Sequence, residues 1–179
     1  MGNSSLDLNR SSAARDHAEG GHEAYMARAL GLAEHAAALG EVPVGAVIVR
    51  GGRIIAEGFN SPETDKDPTS HAEMKAIRQA AAVLGGWRLI GCDMYVTLEP
   101  CSMCAGAIVL SRIERLYIGA MDPKAGACGS LRNIPADERL NHQPEIITGV
   151  LAEESSALLK AFFRKLRARK KTEEDAPAE

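Results

Sequence analysis

Cys101 and Cys104 stand three positions apart directly after Pro100, in the stretch EPCSMCAG. Thiols at that spacing suit half of a metal site, a redox couple, or two buried neighbours with no chemistry of their own. Pro100 fits the first turn of a helix, and there positions i and i+3 face one side. A helix N-terminus also favours the thiolate form. A catalytic zinc takes three protein ligands and leaves a fourth position to water, whereas a structural zinc is closed by four. Completing the pair therefore needs a His or a Cys from another element.

The chain has five histidines. His17 and His22 lie in or beside a polar N-terminal stretch, His35 falls inside a predicted helix, and His142 sits in a polar loop. His71 opens a predicted helix after a loop that ends a strand, thirty residues before Cys101. In an α/β sandwich, two helix N-termini that follow neighbouring strands can face each other at one sheet edge. His71, Cys101 and Cys104 are then within reach of one ion. Glu73, two positions after His71, becomes a candidate proton shuttle; without a metal it is an ordinary surface carboxylate. Water activated by zinc still needs a base to take its proton and an acid for the leaving group, and one carboxylate can serve as both. The competing readings explain less. A redox pair gives the His-x-Glu no role, and a closed site with Cys92 or Cys128 as fourth ligand leaves Glu73 unexplained.

These residues need elements to position them. Tyr25, Met26, Ala29, Leu30 and Ala33 recur at helical spacing between His22 and Leu39, with Gly40 as a stop. Val44–Arg50 and Arg53–Phe59 flank Gly51-Gly52 and predict a β-hairpin. A loop over Asn60–Ser70 leads into a helix over His71–Gly85, with Ala72, Ala76, Ala80 and Val83 on one stripe and Trp87 capping its packing. Met94–Glu99 reads as a strand, and the cysteine helix runs on to Ser111. A strand over Arg115–Ala120, a glycine-rich loop to Gly129, a β-branched segment over Glu145–Leu151 and a terminal helix over Ser155–Lys171 follow. With no repeat or linker, residues 22–171 are expected to form one domain between a disordered polar extension, 1–21, and a disordered acidic tail, 172–179. Alternating strands and helices predict an α/β fold, a layered sandwich with a partly parallel sheet.

Composition narrows the partners. The length of 179 residues suits a single domain, and 45% hydrophobic residues suffice for a core. A net charge of −3 gives no global positive field. Contact with nucleic acid would need a local patch, and RKLRARKK, Arg164–Lys171, is either that or a solvated helix face. Four cysteines and no apolar leader or ~18-residue apolar run predict a cytoplasmic protein without a membrane segment.

His71-Ala72-Glu73 followed by Pro100-Cys101-x-x-Cys104 resembles the signature of zinc nucleobase deaminases. Beyond it, the sequence from about Glu23 to Lys165 resembles the bacterial tRNA-specific adenosine deaminases, the TadA family. The resemblance rests on EVPVGAVIV, DPTSHAE, TLEPCSMCAGAI, IGAMDPKAGACGSL and AFFRKLR. The zinc signature alone also fits free-base deaminases acting on guanine or cytosine. The loop after Ala120 and the terminal Phe-Phe-Arg favour the tRNA enzymes. A non-catalytic, zinc-holding RNA-binding subunit is disfavoured by the intact Glu73.

The resemblance implies a cytidine-deaminase-like fold: a three-layer α/β/α sandwich around a five-stranded mixed sheet, working as a homodimer. It implies zinc-dependent hydrolysis of the wobble adenosine of a tRNA anticodon, chiefly of an arginine tRNA, to inosine, with one Zn2+ per chain and no organic cofactor. His71, Cys101 and Cys104 would bind the zinc, and Glu73 would shuttle protons. The N–H of Ala72 and the amide of Asn60 would hydrogen-bond the adenine, and Val42, Pro43, Val44 and Leu98 would wall its pocket. Asp122 and Lys124 would meet the RNA backbone and ribose. Phe163 and Arg164 would contact neighbouring nucleotides, the Phe162-Phe163 pair otherwise anchoring its helix to the core.

Overall fold

The computed structural model describes residues 21–174. Helix α1 (His22–Ala38) leads to the hairpin β1 (Gly45–Arg50) and β2 (Arg53–Phe59). Gly51 and Gly52 both take positive φ, 56° and 77°, as a tight turn matching strand twist requires. A short helix α2 (Pro62–Asp65), unexpected from the sequence, interrupts the next loop before α3 (Ala72–Leu84). Then come β3 (Cys92–Leu98), α4 (Ser102–Ser111), β4 (Arg115–Ala120), a 3-10 turn at Ile134–Ala136, β5 (Glu145–Thr148) and α5 (Ala152–Glu174).

The five strands form one sheet in the order β2-β1-β3-β4-β5. β1 is antiparallel to β2 and β3, whereas β3, β4 and β5 run parallel. Register places Val47, Tyr95, Tyr117 and Ile147 in one row across the sheet, and Ile48, Met94, Leu116 and Ile146 in the next. Because side chains alternate across a strand, these rows face opposite layers. The first packs with Tyr25, Met26 and Ala29 of α1 and with Val150 and Leu151 before α5. The second packs with Ala72, Ala76 and Ala80 of α3 and Ala105 and Ile108 of α4. Two cores on two faces make the three-layer sandwich. Among the described residues no helix is long and apolar enough to cross a membrane.

Several local expectations are corrected. Pro100 precedes its helix instead of occupying the first turn: Cys101 is extended (φ −71°, ψ 175°) and helix starts at Ser102. The cause is tertiary, since Ala127 N–H donates to Pro100 O at 2.9 Å and Cys101 bridges to Gly126, holding both residues straight. Trp87 is 57% exposed under the Arg88 guanidinium rather than packed on α3. Gly85 ends α3 in the left-handed conformation, and it is Leu89 that turns back into the core. Val83 likewise faces solvent, and Leu84 continues the stripe of Ala72, Ala76 and Ala80. β5 stops at Thr148, where Gly149 takes φ 91°. α5 runs on to Glu174; the polar N-terminal extension, save Gly21, and the last five residues of the acidic tail lie outside the described residues.

Candidate active site

His71 and Cys101 are the N-cap residues of α3 and α4, both in extended conformation. Each helix follows the C-terminal side of the sheet layer it packs on, so the two N-termini converge. His71 Nδ1 lies 3.6 Å from Cys101 Sγ and 3.5 Å from Cys104 Sγ. Two sulfurs and an imidazole nitrogen bound tetrahedrally at ordinary Zn–S and Zn–N lengths sit about 3.6 Å apart. The geometry therefore fits zinc, and among the described residues this is the one cluster of three or more such groups with metal-site spacing.

The electrostatics match that donor set. Cys101 is held down to about 3, first by the hydrogen bond from Cys104, with burial opposing and His71 assisting. Cys104 is pushed up by the same bond and by burial. Its hydrogen bond to Cys101 raises His71, against the effect of burial. The two sulfurs and the imidazole thus act on one another electrostatically in a place a divalent cation can take.

Glu73 is 3% exposed in the first turn of α3. Burial pushes its carboxyl above the usual range; its own N–H and His71 pull back. Ala72 is the first residue of α3, so its N–H has no acceptor within the helix. Asn60 is buried, its N–H donates to Val44 O at 3.0 Å, and no hydrogen bond among the described residues uses its side-chain amide. Val44 packs into the core and Pro43 is buried beside it. Glu41 fixes this segment by accepting from Thr64 N–H and Oγ1, both at 2.7 Å.

A cleft of about 570 Å³ lies between α5 and the ends of β3 and β4. Val42, Leu98, Asp122, Lys124 and Phe163 line it, as do Lys160 and Arg167. Arg164 is exposed and does not line it. Lys160, Phe163 and Arg167 follow at i, i+3 and i+7 on one face of α5, so helical spacing from Phe163 is the sequence signal that points to the two cations. Glu99 carries no such signal, and sequence reasoning misses it. It is 3% exposed and accepts four hydrogen bonds from the loop after β4. Nothing local distinguishes a glutamate at the end of an apolar strand.

Of the expected pocket wall, Val42 and Leu98 line the cleft, whereas His71, Glu73, Cys101 and Cys104 do not. An α/β/α sandwich that presents His-x-Glu and Cys-x-x-Cys from two facing helix N-termini defines a metal-dependent hydrolytic deaminase. The zinc-binding region of cytidine and deoxycytidylate deaminases matches residues 20–120. The tRNA-specific adenosine deaminase of Bacillus subtilis is 53% identical over 83% of this chain and 92% of its own. A structure from a study of A-to-I editing by tRNA:A34 deaminases at the wobble position of transfer RNA is 46% identical, with a TM-score of 0.73, over 75% of this chain and 98% of that one. A guanine deaminase from Bacillus subtilis is similar at 35% identity and a TM-score of 0.57, over 83% and 95% of the two chains. The chain belongs to the cytidine and deoxycytidylate deaminase family.

Proposed function

We propose that this chain converts the wobble adenosine of a tRNA anticodon, chiefly that of an arginine tRNA, to inosine. The observation that carries the reading is the convergence of His71, Cys101 and Cys104 beside buried Glu73, in a chain 53% identical to a tRNA-specific adenosine deaminase. Greater likeness to the tRNA:A34 deaminase structure than to the guanine deaminase weighs against a free-base substrate. So do Lys124, Lys160 and Arg167 around the cleft, since a free base offers them no phosphate.

The anticodon loop is single-stranded, so its base can splay into a protein pocket without breaking a duplex. Asn60 and the Ala72 N–H hold the adenine edge, and Val42, Pro43, Val44 and Leu98 surround it. His71, Cys101 and Cys104 would hold zinc, whose Lewis acidity would lower the pKa of water toward neutrality. Glu73 takes the water proton as oxygen adds to the ring carbon that bears the amine. It delivers that proton to the ring nitrogen, then takes the second proton from the added hydroxyl and passes it to the departing amine as the C–N bond breaks. Adenosine and water become inosine and ammonia, and Glu73 returns to its starting state. A carboxyl raised by burial suits a group that must hold a proton for part of the cycle.

Residues 22–171 are the catalytic domain in this reading, working in the cytoplasm as a homodimer. The outward stripe of α4 supports the dimer: Met103, Gly106, Ala107 and Leu110 are apolar at i, i+3, i+4 and i+7, with Leu110 68% exposed. The deciding assay presents an arginine-tRNA anticodon stem-loop, guanine and cytosine separately. Inosine from the stem-loop is expected; ammonia from a free base alone would overturn the reading.

A further inference from the structure

We propose that Glu99 is a positioning residue that sets the loop bearing Asp122 and Lys124 against the metal centre. The inference rests on the tRNA reading above and adds a residue to it. Glu99 follows β3 directly, one residue after Leu98 of the cleft wall and two before Cys101. One carboxylate oxygen, Oε1, accepts from the N–H groups of Cys128 and Ser130, both at 2.9 Å. The other, Oε2, accepts from Asp122 N–H at 2.9 Å and from the Ser130 hydroxyl. A buried carboxylate with every lone-pair direction occupied is a hub for the loop from both its ends, not a surface charge.

Close packing reinforces the hub. A Cβ on Gly126 would lie 2.1 Å from Glu99 Oε2, so only glycine lets the loop close over the carboxylate. Gly126 N–H donates to Asp122 O at 2.9 Å, Ala127 N–H donates to Pro100 O at 2.9 Å, and Gly126 bridges to Cys101. The loop is therefore tied to the strand end and to the residue that carries a metal-ligating sulfur. Asp122 Oδ1 accepts from Lys124 N–H at 2.9 Å, which carries the fixed geometry outward to the cleft's cation. Through this chain Glu99 sets the distance between the place where the base reacts and the place where the RNA backbone is held.

The test is steady-state kinetics of zinc-loaded, full-length Glu99→Gln on the arginine-tRNA anticodon stem-loop, alone and combined with Lys124→Ala. Gln keeps the size but turns one acceptor into a donor facing N–H groups. Zinc should remain at about one per chain, KM should rise about ten- to a hundredfold, and kcat should change less. Lys124→Ala should then cost much less in the Glu99→Gln background than in the wild type, because the lysine is already misplaced. Ser130→Ala removes a single donor, and its smaller KM increase is expected even where Glu99→Gln fails to fold. An unchanged KM in both variants overturns the inference, as does an effect on kcat alone, or strict additivity with Lys124→Ala. Absence of inosine from the wild-type protein would instead overturn the tRNA reading and this inference with it.

Discussion

His71 and Cys104, thirty-three residues apart in the chain, bring Nδ1 and Sγ to 3.5 Å. Neither side chain reaches the other by local structure. The contact exists because α3 and α4 pack on the same face of the sheet, sharing one core, and because both begin at the same edge. Glu73 is buried by the same packing, so the position of α3 governs ligand and proton shuttle together.

That dependence predicts a remote effect on the metal. A Cβ on Gly58 of β2 would lie 2.1 Å from Ala72 O, where α3 begins. Gly58→Ala must push the start of α3 off the sheet, at a cost of about 1–3 kcal/mol. Thermal melting should show that loss, and a competition assay should show weaker zinc binding, although Gly58 touches no ligand. Unchanged zinc affinity would mean that α3 can shift without moving His71.

The phase of α5 separates its cations. Lys160 and Arg167 line the cleft and Arg164 does not. Changing Lys160 or Arg167 to Ala should weaken stem-loop binding and flatten its salt dependence by about 0.7 for each phosphate no longer neutralised. Arg164→Ala should change the slope less. Slopes unchanged from wild type in all three would assign the cluster to solubility.

Much of the architecture is legible in the sequence because it is written in periodicity. The Gly51-Gly52 hairpin, the alanine stripe of α3 and the apolar runs of β3 and β4 each have a local cause. The zinc-binding set is legible because Cys101, Cys104 and His71 are few, chemically specific and correctly spaced. What escapes depends on interactions made across the fold. Pro100 is kept out of its helix by Ala127, Trp87 is turned out by the Gly85 stop, and Glu99 acts on a loop that begins more than twenty residues later. Arg164 stands out in the sequence where Arg167 does not, because a run of basic residues does not reveal which face of its helix meets the cleft.

One ion pair gives a pH signature. Arg28 of α1 donates from Nε and Nη2 to both Glu57 oxygens on β2, at 2.7 and 2.6 Å. The hydrogen bond to Arg28 holds the Glu57 carboxyl below its usual value, with burial opposing. A depressed carboxylate contributes stability above its unfolded pKa, about 4.3, and loses it as pH falls through the folded value. Glu57→Gln should therefore cost up to about 1 kcal/mol at pH 7, and urea titrations should show the difference from wild type closing as pH falls from about 5 to 3. A difference that persists at low pH would place the effect in packing instead.

For the α4 stripe, Leu110→Lys puts a charge at the most exposed residue of the proposed dimer interface. Sedimentation should show a dimer for the wild type and a monomer for the variant, since an unpaired buried charge is costly. A dimeric variant would move the interface elsewhere.

Glu73 carries the central claim. Glu73→Ala, purified with its zinc content measured, is to be assayed beside wild-type protein for inosine formation in an arginine-tRNA anticodon stem-loop. The wild type should form inosine, and the variant should hold about one zinc per chain while forming none. Appreciable inosine from zinc-replete Glu73→Ala would contradict the account.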